Sequence, residues 1–72
     1  MEQKQVSRKT MLVLLALQRG ELTEHLIYQN LAKRVKDEHN SEILGRIGEE
    51  ELRHAKIWEK MTGKQVGSFR VV

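Results

Sequence analysis

Cysteine is absent from these 72 residues. That excludes a disulfide framework and a thiolate metal site, and it agrees with a reducing cytoplasm. Proline is absent as well, so nothing of that kind interrupts a long helix. No apolar run approaches a transmembrane span, and the opening ten residues are too polar for a secretory signal. The chain as given reads as soluble and cytoplasmic, with no membrane segment. A chain this short buries a modest share of its surface and is marginal unless something staples it. Oxygen and nitrogen metal ligands, or oligomerisation, are the staples left.

The net charge of +3 raises nucleic acid as a partner, but its distribution argues against one. Residues 1–20 come to +3, the central forty are slightly acidic, and Lys64 and Arg70 supply the rest. A solvated surface accounts for excess charge at the two ends of a chain as well as a binding patch does. No nucleic-acid partner is expected.

What the sequence does hold is Leu, Ala, Glu, Lys, Arg and Gln, all good helix formers. Residues 1–72 read as one half-domain: a helix over about 7–36, a helix over about 41–62 and a tail over 63–72. Ser7 or Thr10 is the expected first cap. Leu14, Leu17, Glu21, Tyr28, Leu31 and Val35 then follow the steps of one helical face, thickened by Met11, Leu15 and Ile27. Asp37, Glu38, His39 and Asn40 form a polar break, with Asn40 or Ser41 capping the second helix. That helix carries Leu44, Ile47, Glu51, His54, Trp58 and Met61 at steps of three and four, and Gly63 stands where a left-handed C-cap belongs. Gly45 and Gly48 weaken it unless helices approach closely there. The tail reads as loose, or as the start of something continued elsewhere.

So short a connection makes an antiparallel hairpin. Two amphipathic helices cannot bury both apolar faces between themselves. The expected fold is therefore all-α, a hairpin that pairs with a second copy into a four-helix bundle. Trp58 and Met61 belong to the core of that homodimer or higher homo-oligomer.

Three polar residues break the apolar stripes from within: Glu21 on the first helix, Glu51 and His54 on the second. A lone buried carboxylate is costly unless paired, protonated or metal-bound. At helical rise, Glu21 lies roughly 22 Å from the turn and the Glu51–His54 pair roughly 15–20 Å, so their heights overlap. Dinuclear carboxylate bundles take one Glu from each of two helices and Glu-x-x-His from each of the other two. One hairpin supplies half of that set, and a two-fold dimer supplies it all, for two iron ions, with manganese or zinc as alternatives.

The stretch over about 14–63 resembles the first helix pair of the ferritin-like superfamily, particularly rubrerythrins and short ferritin-like proteins. Glu21 and Tyr28 in ELTEHLIY, with Glu51 and His54 in EEELRHA, carry the likeness. The resemblance implies that Glu21 and His54 are terminal ligands, that Glu51 bridges, and that Tyr28 packs or hydrogen-bonds beside the site. It also implies oxidation of Fe(II) by peroxide or dioxygen. The chain departs from the family in lacking both a second helix pair and the cysteine-ligated iron domain common in rubrerythrins. It is thus either a self-assembling half-bundle or a fragment of a longer protein.

Blander readings stand beside these. Glu21 can be a rim carboxylate paired with lysine, Glu51 part of a solvated acidic run with Glu49 and Glu50, and His54 a half-exposed histidine. Glu24, one turn from Glu21, is a candidate extra ligand, and His25 is a candidate for contact beside the site; solvent exposure is expected of both. His39 is expected to be free in the turn. Two rivals to an oxidoreductase remain, a module that stores or delivers metal without turnover and a plain helical dimerisation module.

Overall fold

A computed structural model describes residues 6–70. It contains two helices, α1 (Arg8–Arg34) and α2 (Glu38–Thr62), and no strand among the described residues. Ser7 caps α1, its hydroxyl accepting from the Thr10 amide at 3.1 Å. Lys33 and Arg34 occupy the last turn, where cations complement the exposed carbonyls. Gly63 ends α2 in the left-handed conformation, at φ 69°, as its position in the sequence leads one to expect.

The turn is shorter than the sequence reading has it. Asp37, not Asn40 or Ser41, caps α2, its carboxylate accepting from the Asn40 amide at 2.9 Å. Aspartate caps as well as asparagine does, so Glu38, His39 and Asn40 fold into the first helical turn. Ser41 is engaged elsewhere: its hydroxyl donates to the Ala32 carbonyl of α1 at 2.6 Å. His39 is exposed there.

Cross-helix hydrogen bonds join Ser41 to Ala32, His25 to Gly48 and Thr62 to Gln18. Positions fall on α1 as they rise on α2, so the helices are antiparallel. The seam between them is not the apolar stripe. It runs through Gln18 and His25 on α1 and through Gly48, Ala55 and Thr62 on α2, all buried and spaced by sevens. Ala55 is the single fully buried apolar side chain among the described residues. Gln18, 1% exposed, is satisfied at both ends: its carbonyl oxygen accepts from Thr62 Oγ1 at 2.8 Å, and its amide donates to the Lys64 carbonyl at 2.7 Å.

Small residues on α2 let the helices pack closely. A Cβ added to Gly48 would stand 3.4 Å from both the His25 carbonyl oxygen and Tyr28 Cβ, whereas one added to Gly45 would meet nothing within 4 Å. Of the two glycines expected at a close approach, only Gly48 is at one.

The hairpin measures 51 × 27 × 14 Å, one helix thick. Its radius of gyration of 14.8 Å exceeds the roughly 11 Å of a compact domain this long. The apolar stripes are only partly covered: Leu14, Tyr28, Val35, Leu44 and Trp58 are half-buried, whereas Leu17, Leu31, Ile47 and Met61 are between 37% and 62% exposed. No described helix is long and apolar enough to cross a membrane. The tail is not loose over its described part. The Phe69 amide donates to Thr23 Oγ1 at 2.8 Å, and the Arg19 guanidinium lies 5.6 Å from the Phe69 ring centroid. Val71 and Val72, which the sequence reading also assigns to the tail, lie outside the described residues.

The two glycines should therefore respond oppositely. Gly45→Ala should stabilise by about 0.5–1 kcal/mol through helix propensity. Gly48→Val should cost about 1–3 kcal/mol by forcing methyl groups against α1. Urea midpoints at one protein concentration compare them directly, and a Gly48→Val protein as stable as wild type would contradict the close packing.

Candidate metal centre

From the His25–Gly48 contact, one turn toward the open end of the hairpin reaches Glu21 on α1 and Glu51 on α2. His54 follows one turn further along α2. Antiparallel helices thus bring together side chains that lie thirty residues apart in sequence. One donor atom each from Glu21, Glu51 and His54 falls within 4.8 Å of the other two.

The imidazole organises the group. His54 Nδ1 lies 3.2 Å from Glu51 Oε1 and 3.7 Å from Glu21 Oε1. A carboxylate only accepts, so the hydrogen bond to Glu51 requires the proton on Nδ1. That proton sits between two carboxylates, where a cation would compete with it. The site is half-open: the side chains of Glu21, Glu51 and His54 are 26%, 15% and 47% exposed. Beside it is an open hollow of about 310 Å³ lined by Glu21, His54, Ile57 and Trp58.

One atom points to something further. Glu21 Oε2 is buried and has no hydrogen-bond partner among the described residues. An unsatisfied buried carboxylate oxygen is costly, and a hard cation is the partner that such an oxygen takes best. The donor set, two carboxylates and one imidazole, fits iron or manganese.

The surroundings separate the bland readings from the sharp one. Glu50 pairs outward with Arg53, and Glu42 pairs with Arg46 at 2.7 Å. The acidic run therefore splits, with Glu51 turned to His54 and Glu50 to solvent. Among the described residues no lysine pairs with Glu21; its neighbour is His54, with Nδ1 at 3.7 Å.

Glu24 is exposed, as expected, yet it is not independent of the site. A hydrogen bond shared with Glu51 raises its pKa above the ordinary 4.5, with burial and the charge of Glu51 pushing the same way. A proton held between two carboxylates has this effect.

His25 departs from expectation. It is 8% exposed, and its Nδ1 lies 2.7 Å from the Gly48 carbonyl oxygen. It belongs to the seam, seven residues after Gln18, and a flank reading missed that spacing. Tyr28 is half-buried, with its Cβ beside Gly48.

Comparison with known proteins adds one finding. The family model described as Rubrerythrin matches residues 13–70, most of the chain. No curated protein and no solved structure matches it.

The Glu24 shift has a pH consequence. A carboxyl whose folded pKa is raised keeps its proton when folded, so its contribution is present below the unfolded value and lost as pH rises through the folded one. In metal-free protein, wild type should lose stability relative to Glu24→Gln over the window that opens near the ordinary value of 4.5 and extends above it. Urea denaturation with chelator present, at three pH values across that window, measures the difference. A constant gap between the two proteins would contradict the shared proton.

Proposed function

The chain belongs to the rubrerythrin family, and on that premise we propose that its hairpin holds half of a dinuclear metal site. Glu21, Glu51 and His54 are the ligands, and a second copy of the chain completes the site as a homodimer or higher homo-oligomer. The observation that carries this reading is three donor atoms from two helices within 4.8 Å, with one Glu21 oxygen buried and unpartnered. The apolar stripes supply the rest. Leu17, Ile47 and Met61 flank the ligands on the uncovered face, so one docking event would bury apolar surface and complete the ligand set.

Iron bound there would supply two electrons from two Fe(II) to peroxide, which with two protons gives two waters, or correspondingly to dioxygen. The chain's own residues set the conditions. Glu51, the less exposed of the two ligand carboxylates, would hold metal together with Glu21 and His54. His54 would offer Nδ1 to metal only with the ring proton on Nε2, a change of tautomer that releases no proton from a neutral imidazole. Glu24 can hold a proton next to Glu51. Tyr28 lies two turns along α1 from Glu21, half-buried with its Cβ near Gly48. Ile57 and Trp58 line the open hollow beside the ligands. A reducing cytoplasm, which keeps iron ferrous, suits this reading.

Storage or delivery of metal without turnover is the rival that the openness of His54 favours. Stopped-flow absorbance separates the two: Fe(II)-loaded protein mixed with peroxide should oxidise within a single fast phase. Glu51→Ala should lose most of its metal and slow that phase roughly tenfold or more, and Glu24→Ala should lose less of both. Elemental analysis with circular dichroism supplies the metal content and the control for folding. Metal-loaded wild type that ignores peroxide would leave storage as the function. Sedimentation equilibrium at micromolar concentration should show dimer or larger, and a pure 8.4 kDa species would overturn the shared site.

A further inference from the structure

We infer that His25 is a positioning residue for the metal site: its hydrogen bond to the Gly48 carbonyl sets the axial register of Glu21 against Glu51 and His54. The inference rests on the proposal that those three residues bind metal, and it goes beyond it by naming what aligns them.

The bond is unusual in what it satisfies. Gly48 lies inside α2, where a backbone carbonyl already accepts within the helix, so its oxygen gives His25 a second lone pair. The carbonyl does not need the contact. The imidazole does, because it is buried and an unpaired donor there is costly. An apolar side chain at position 25 would avoid the requirement altogether. What the histidine adds is direction: Nδ1 reaches the Gly48 carbonyl oxygen at 2.7 Å in the register that the two helices adopt.

The rest of the seam leaves that register loosely specified. Gly48, Ala55 and Thr62 are small, and small residues slide past a neighbouring helix more easily than large interdigitating ones. Thr62–Gln18 lies near the open end and Ser41–Ala32 near the turn. His25–Gly48 is the contact closest to the ligands, four residues from Glu21 and three from Glu51. A slip of one residue moves α2 by about 1.5 Å and turns it by about 100°, whereas metal–ligand distances tolerate about 0.2 Å. The helices are close at this point, since a methyl group at Gly48 would already be in contact with the His25 carbonyl oxygen at 3.4 Å.

Two variants test this in the full chain. His25→Leu keeps bulk and removes the donor; His25→Asn places an amide nitrogen where Nδ1 stands. Titration with Co(II) reads affinity, and the visible absorption bands of the bound ion read ligand geometry. His25→Leu should bind at least tenfold more weakly with altered bands, and His25→Asn should recover both. A second measurement works without metal. In a Glu21→Cys/His54→Cys background, free of other cysteines, oxidation should link the two positions within one chain. His25→Leu should slow that linkage and His25→Asn should restore it. Wild-type affinity, bands and linkage in His25→Leu would overturn the inference, and so would His25→Asn behaving like His25→Leu. If the wild-type chain takes up no Co(II), the metal reading fails, and the linkage rates alone decide whether His25 sets the register.

Discussion

The helices α1 and α2 approach closely at Gly48, where a Cβ would stand 3.4 Å from the His25 carbonyl oxygen. Most other features of the hairpin depend on this approach. Closely spaced helices cannot bury large side chains between them, so the seam is made of Gly48, Ala55 and Thr62 facing Gln18 and His25. Such a seam gains little from apolar burial, and its specificity comes from hydrogen bonds whose buried donors must be met. The same approach brings Glu21 across to Glu51 and His54.

It also decides where the large apolar residues go. With no room in the seam, the stripes containing Leu17, Leu31, Ile47 and Met61 are turned to one broad face. A slab 14 Å thick with a uniformly apolar face would be an aggregation hazard. Here the face is interrupted at its centre by two carboxylates and a histidine. Charges at that place disfavour indiscriminate association, since an arbitrary partner would bury them unpaired.

Periodicity made much of this legible. Steps of three and four marked both helices, and the left-handed Gly63 stop followed from residue type alone. The juxtaposition of Glu21 with Glu51 and His54 followed from helical rise and a short turn. Two things did not. The start of α2 was misplaced because Asp37, Asn40 and Ser41 are all competent caps, and only the pairing of Ser41 with Ala32 leaves Asp37 the role. The seam was missed because its residues carry no hydrophobic signal: glutamine, histidine, glycine, alanine and threonine at intervals of seven look like scattered polar positions. Hydrophobic periodicity finds the face that will be covered last, and here a different face is covered first. The charge pattern needed the fold as well. The antiparallel hairpin brings Lys64, whose carbonyl accepts from Gln18, alongside the neighbouring Arg19 of α1.

On the proposed reading, ligation and association are one equilibrium. Each hairpin alone keeps its carboxylates partly hydrated, with Glu21 at 26% and Glu51 at 15% exposure. Covering the face removes that water and brings two such sets together, which raises the cost of every negative charge in the site. The apolar stripes favour the same covering, so the two tendencies oppose each other in metal-free protein. A divalent cation reverses the electrostatic part without touching the hydrophobic part, because it replaces lost hydration with direct coordination. Since a ligand that binds the assembled form better must favour assembly, metal occupancy and pairing reinforce each other. A proton on Glu24, favoured by its hydrogen bond to Glu51, is a smaller version of the same compensation. It offsets part of the repulsion before any metal arrives, and it must leave if both carboxylates are to bear full charge.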